Sequence, residues 1–298
     1  PFTLAYFTGS KEHNIRMRQV AQDRGLKLNE FGLMPETELT GLEAAATSLP
    51  AASESDIYSH LGLQYVIPEL REDLGEIEAS ATGNLPELIT ISDVKGVLHN
   101  HTTLSDGEAS LEQMADAARR MGLNWLGIAD HSPSLKIANG ASAEDLLAQC
   151  KTIREYNRNW KNEGTDFRLL SGVESDILED GRLDHPDDVL AQIDYVVASV
   201  HAMTRWRGRD ESQNTEDLLK ALDHPATTVL GHPTGRILQG REGYEIDLHT
   251  ILEHMSEANK DGQLKAVEIN ASPYRLDLDW RLCKRAKDLQ VPIVINPD

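Results

Sequence analysis

The chain has 298 residues, enough for one large domain or two moderate ones with a sizeable buried core. Its net charge of −20, from 49 acidic against 29 basic side chains, argues against a protein that coats DNA non-specifically. No apolar run approaches a membrane span, and Cys150 and Cys283 are isolated, so a reduced, cytoplasmic chain with no membrane partner is expected. Pro1 stands where an initiator Met would, and the chain stops at Asp298 inside a strand-like run. Both features read as an internal fragment of a longer protein.

In chain order, residues 1–33 read as strand (4–8), helix (10–24) and strand (27–31), with five basic and three acidic side chains. Residues 34–92 hold one basic and eleven acidic side chains among scattered Gly, Pro, Ser and Thr. An amphipathic piece at 56–61 and the run 70–78 suggest small helices grading into a linker. From Val94 a rhythm begins. Apolar runs at 94–98, 125–129, 168–173, 195–200, 228–230, 266–269 and 293–295 alternate with helical patterns at 110–121, 143–162, 186–192, 215–222, 248–260 and 279–289. Ser110, Ser142, Asp247 and Asp277 read as helix N-caps. Seven strands alternating with helices imply a parallel sheet, best closed or nearly closed into a β/α barrel, with an open doubly wound sheet as the alternative.

Chemistry gathers where these runs end. The first gives His99-Asn100-His101 and then Ser105-Asp106-Gly107; the second gives Asp130-His131; the third Glu174; the fourth His201; the fifth Gly231-His232-Pro233; the seventh Asn296-Pro297-Asp298. Six of seven expected strands thus deliver a metal-binding side chain to their C-terminal ends, the rim where β/α barrels keep their active sites. Residues i and i+2 of a strand point to one side, so His99 and His101 can hold one ion together. Glu174 can bridge two. Imidazoles mixed with carboxylates suit Zn²⁺, Mn²⁺ or Fe²⁺ better than Ca²⁺ or Mg²⁺ alone. Eight such ligands are too many for one ion, which implies a cluster of two or three suited to phosphoryl transfer. A lone histidine near a strand end is more often structural than a ligand, and His60, His185, His224, His249 and His254 are read as surface or capping residues.

The stretches LHNHTTLSDG, GIADHS, GVESDIL, VVASVH, GHPTGR, EINASPYRLDLDW and INPD together resemble the PHP (polymerase and histidinol phosphatase) domain, in the wording of the PHP domain fused to bacterial family X DNA polymerases. The resemblance covers about residues 92–298. It implies a distorted seven-stranded β/α barrel with three metal ions, Mn²⁺ or Zn²⁺. The first would be held by His99, His101, Glu174 and Asp298; the second by Glu174, His201 and His232; the third by Asp106, His131 and a histidine expected two residues beyond Asp298. Earlier in the chain, Tyr6-Phe7-Thr8-Gly9-Ser10, Asn14 and Arg18, then the stretches 27–31 and 56–58, resemble the thumb of family X polymerases such as DNA polymerase beta. This implies a small α+β thumb over residues 1–73, an acidic linker over 74–92 and a C-terminally truncated PHP domain over 93–298.

The implied activity is 3′-to-5′ exonuclease hydrolysis of DNA, with Glu174, His99, Asp298 and Arg275 at the reacting centre. Arg236 and Arg275 would clamp phosphate oxygens, and Arg205 and Arg207 would flank a Trp206 that stacks a terminal base. Tyr6, Phe7, Gly9, Ser10, Asn14 and Arg18 would contact nucleotide and DNA; without the resemblance, Tyr6 and Phe7 read as core aromatics. The parent protein would be a Mg²⁺-dependent nucleotidyltransferase that fills gaps in base excision repair, taking deoxynucleotides and gapped or single-stranded 3′ ends. Its catalytic aspartates would lie before Pro1. Two alternatives are a small-molecule phosphatase of the histidinol phosphatase type and a degenerate barrel kept for structure.

Overall fold

The structure, a computed structural model, describes residues 1–36 and 47–298. Of the acidic zone, residues 37–46 lie outside the described residues. The chain forms two compact units, Pro1–Ile89 and Thr90–Asp298. Among the described residues no helix is long and apolar enough to cross a membrane.

The first unit begins with α1 (Phe2–Thr8) and α2 (Lys11–Gln22), followed by an antiparallel hairpin of β1 (Leu26–Asn29) and β2 (Gly32–Pro35). The strand expected over residues 4–8 is therefore a helix. Its composition suits a strand, yet Leu4 and Phe7 are exposed and the hairpin pairs only β1 with β2. β-propensity expresses packing on a sheet and is silent without one. Ser10 starts α2 by accepting the His13 backbone N–H (3.0 Å). Helices α3 (Glu54–His60) and α4 (Glu76–Thr82) follow. The latter lies where a linker was expected: its Ile77 packs with Met17, Leu33, Tyr58 and Leu61. Its Glu76 meets His13 (2.6 Å) and accepts the backbone N–H groups of Asp73 and Leu74. Acidity there marks a helix start rather than a solvated tether.

The second unit is a mixed α/β fold. Its seven parallel strands pair in chain order: β3 (Gly96–Val97), β4 (Trp125–Ile128), β5 (Arg168–Asp176), β6 (Tyr195–Ser199), β7 (Thr227–Leu230), β8 (Ala266–Asn270) and β9 (Ile293–Asn296). The helices between them are α5 (Leu111–Arg120), α6 (Ala143–Asn162), α7 (Asp187–Leu190), α8 (Met203–Trp206), α9 (Glu211–Asp223), α10 (Leu248–Lys260) and α11 (Cys283–Asp288). The ring is nearly closed. At its seam the Leu98 N–H donates to Asn296 Oδ1 (2.7 Å) and the Asp298 N–H to the His99 carbonyl (3.3 Å). Alternation along β6 builds two cores. Tyr195 and Val197 pack inside the ring with Ala129, Val229 and Ala266. Val196 and Ala198 face the helices with Leu146, Leu218 and Ile251. Gly127 and Gly172 are obligatory here, because a Cβ at either would run into the Tyr195 side chain, whose hydroxyl donates to the Leu98 carbonyl.

Three local expectations need correction. Asp277 is not a cap: it is buried, and its carboxylate accepts the Thr234 N–H (2.9 Å) and hydroxyl (3.0 Å). The cap is Asp279, which accepts the Arg281 N–H (3.0 Å). His185 is buried rather than superficial, and burial lowers its pKa. Trp206 is buried to 0% exposure against Tyr244, so it offers no face for a base to stack on. Its neighbour Arg205 is paired with Glu179.

Candidate metal centre

Every strand-end side chain singled out by pattern arrives at one rim. Glu174, at 0% exposure, stands in the middle. Its Oε1 lies 2.9 Å from His232 Nε2 and 3.2 Å from the Nε2 atoms of both His99 and His201. Its Oε2 lies 2.7 Å from His131 Nδ1 and 3.7 Å from His101 Nε2. Asp298 adds its Oδ1 at 3.1 Å from His101 and 3.4 Å from His99. Asp106, on the loop after β3, lies 3.6 Å from His131 and 3.9 Å from His101. Among the described residues, ligand atoms mutually within 4.8 Å form three groups: His99, His101, Glu174 and Asp298; His101, Asp106 and His131; and His131, Glu174 and His201. His101 and His131 thus belong to two groups each, while His232 meets the same carboxylate oxygen as His99 and His201.

The donors fit divalent cations. His99 Nε2, His101 Nδ1, His131 Nδ1, His232 Nδ1 and Glu174 Oε2 are buried without a hydrogen-bond partner, a cost that a bound ion removes. Burial opposes ionisation of Glu174, but His99, His201 and His131 outweigh it and hold the carboxyl well below its usual range. Burial likewise opposes the His201 imidazolium, yet Glu174 and Asp176 push its pKa up to about 10.

Two acids missed by the pattern reading orient the ring. Glu268 is buried on β8; its Oε2 meets His99 Nδ1 (2.7 Å) and accepts from Asn296 Nδ2 (2.9 Å), while its Oε1 accepts the His232 N–H (3.0 Å). Asp176 meets His201 Nδ1 (2.7 Å). Each fixes an imidazole so that Nε2 faces Glu174. The available signals were a lone charge inside the apolar run 266–269, and an acid two residues beyond Glu174 on the same strand face.

Beside the ring opens a cavity of about 750 Å³ lined by His101, Asp106, His131, His201 and Asp298, with Leu135 and Ile137 on one flank and Arg241 and Arg275 on another. Arg275 Nε lies 3.6 Å from Asp298 Oδ2. Arg236, expected as a phosphate clamp, does not line this cavity. Its guanidinium pairs with Asp279 (2.9 Å) and donates to the carbonyls of Arg275 and Leu276.

The family model of the PHP domain matches residues 98–272. The chain belongs to the PHP domain family. Members of this family are metal-dependent phosphoesterases, in keeping with the His, Asp and Glu clusters on the PHP barrel. The model of the DNA polymerase beta thumb matches residues 3–72. Among relatives, the "DNA polymerase/3'-5' exonuclease PolX" of Bacillus subtilis is 42% identical over all 298 residues, and this chain spans 49% of it. A "Probable phosphatase" of Caldanaerobacter subterraneus is 31% identical over 68% of this chain and 75% of its own. Another, of a Thermoanaerobacter species, is 30% identical over 69% of this chain and 79% of its own.

Ahead of the PHP barrel, in the thumb unit, Tyr6, Asn14 and Arg18 line one cleft. Asn14 Nδ2 donates to the carbonyls of Tyr6 (2.9 Å) and Ser10 (3.0 Å), tying α1 to α2 across Gly9. Tyr6 and Phe7 are exposed and meet edge to face, 5.2 Å between ring centroids, so neither is a core aromatic. In the PHP barrel, Glu268→Gln should lower divalent-metal affinity about 10- to 100-fold while leaving the fold intact. Calorimetric titration of the metal-free protein checks this; unchanged affinity would show that His99 needs no such partner.

Proposed function

We propose that the barrel is a metal-dependent phosphodiesterase acting as a 3′-to-5′ exonuclease on DNA. The observation that supports this most is Glu174, a buried carboxylate ringed by five histidines, of which His101, His131 and His201 line a cavity that also carries Arg241 and Arg275. We take the ions as three, Mn²⁺ or Zn²⁺, held as the family resemblance allots them, with His131 also within reach of the second and His101 of the third. Bound there, such cations would acidify a water molecule and neutralise charge on the phosphate. The chain's own groups do the rest. Glu268 and Asp176 keep the His99 and His201 rings aimed before substrate arrives, so little reorganisation is left for the reaction. Arg275, beside Asp298, can donate to an oxygen of the scissile phosphate.

The thumb-like unit in the same chain favours DNA over a small ester, and the alignment with the Bacillus PolX over the whole chain favours a repair polymerase. In that reading the parent protein fills gaps during base excision repair with Mg²⁺ and deoxynucleotides, in the cytoplasm. Tyr6, Phe7, Gly9, Ser10, Asn14 and Arg18 then serve nucleotide and DNA. The relatives named as phosphatases favour a second reading, a small-molecule phosphatase. Labelled single-stranded DNA with Mn²⁺ separates the two. Release of nucleoside monophosphates supports the exonuclease; release of inorganic phosphate from small monoesters alone supports the phosphatase. Arg275→Gln should lower kcat/KM on DNA by about 10- to 100-fold, the worth of one charge-assisted hydrogen bond. Steady-state kinetics at saturating Mn²⁺ would show it, and an unchanged kcat/KM would remove Arg275 from the site.

A further inference from the structure

Arg241 has no part in the reading from sequence, yet it lines the same cavity as the metal-binding side chains. Its Nη2 donates to the Gly235 carbonyl (2.9 Å), and its Nε is buried with no partner. Among the described residues no carboxylate pairs with it. Several other guanidinium groups of the barrel are matched: Arg236 with Asp279, Arg209 with Asp217, Arg182 with Asp180, Arg285 with Glu253. In a chain of net charge −20, a half-buried arginine without a counter-ion is a cost that an incoming anion would relieve. Burial lowers its pKa, and the charges of Arg275 and Arg207 lower it further.

The backbone holds these cations in place. Ile237 and Arg241 exchange backbone hydrogen bonds (2.7 and 2.8 Å) across a tight loop in which Gln239 takes a φ of 60°. The Leu238 N–H donates to the Tyr274 carbonyl (2.6 Å), joining the loop after β7 to the loop after β8. Arg236 braces the second loop through the Arg275 and Leu276 carbonyls. Arg275 touches Asp298 at the inner end, Arg241 lines the cavity with it, and Arg207 is exposed to solvent.

We propose that Arg241 forms a second anion subsite, which takes the phosphate next along a nucleic-acid strand from the one being cleaved. The inference rests on the phosphodiesterase reading above and deepens it, since it makes the preferred substrate a polynucleotide. Two cationic side chains, Arg275 and Arg241, in the cavity that the metal-binding side chains also line match an anion whose phosphates repeat. An ester with one phosphate would leave Arg241 unmatched.

The test compares wild type with Arg241→Gln, both loaded with Mn²⁺, on a short oligothymidylate and on bis(p-nitrophenyl) phosphate, a diester with no second phosphate. The ratio of kcat/KM for the oligonucleotide to that for the simple diester should fall about ten-fold or more, and Arg241→Lys should recover part of it. A second readout needs no turnover. With EDTA present, anisotropy of a fluorescein-labelled oligothymidylate should give a slope of log Kd against log salt that is shallower by about 0.7 in Arg241→Gln. An equal loss on both substrates, or an unchanged ratio and slope in a variant that melts like wild type, overturns the subsite. Wild type inactive on both substrates overturns the phosphodiesterase reading, and the subsite with it.

Discussion

Glu174→Gln should lose about two ions per chain and at least about a thousand-fold in DNA hydrolysis, because one carboxylate serves two of the three donor groups. The substitution keeps size and hydrogen-bonding capacity but removes the charge that His99 and His201 share. His131→Ala should behave differently. It strips one imidazole from the Asp106 side of the ring, while the second ion, as allotted above, keeps Glu174, His201 and His232, so about one ion should go and the rest should stay. Metal counting by plasma mass spectrometry on both variants, alongside Mn²⁺-dependent nucleotide release, distinguishes them. Equal metal loss from the two would contradict a ring organised around Glu174.

Trp206→Ala should cost about 3–5 kcal/mol of stability, among the larger losses available from one barrel side chain. The indole is fully buried, with Tyr244 at 5.3 Å between ring centroids and the Arg209 guanidinium 5.0 Å above it. Asn214 Nδ2 donates to its carbonyl (2.8 Å), tying α8 to α9 immediately after His201. For a domain of this size the melting temperature should drop by roughly 2–4 °C per kcal/mol lost. Calorimetry would register the loss, and Trp206→Phe should recover much of it. A variant that melts normally but no longer binds single-stranded DNA would return Trp206 to the surface role its flanking arginines suggested.

The barrel was legible because its signal is redundant. Each strand carries an apolar run, a helix lies between most of them, and a ligand closes six of the seven, so an error at one strand end is corrected by the others. Residues 143–162 and 248–260 were readable to their ends because Ser142 and Asp247 are true caps. What escaped was whatever depends on partners distant in sequence. Glu268 looks like an interruption of a strand until His99, 169 positions earlier, is placed beside it. Arg236 and Arg241 are indistinguishable as letters, and only the position of Asp279 makes one a brace and leaves the other unmatched. Trp206 between two arginines looks like a stacking loop because sequence does not say which side of a short helix faces inward. The same holds for residues 4–8, whose composition suits a strand, although the sheet of the first unit pairs only β1 with β2.

The seam of the barrel joins segments 198 residues apart, Leu98 and Asn296, and the donors His99 and Asp298 sit on its two sides. Closing a loop of that length costs more entropy than pairing two consecutive strands of the barrel, although the cost grows only slowly with length. The donor set is therefore complete only with β9 in place. A chain open at that joint would have dispersed its donor set and, under the phosphodiesterase reading, should not hydrolyse its substrate.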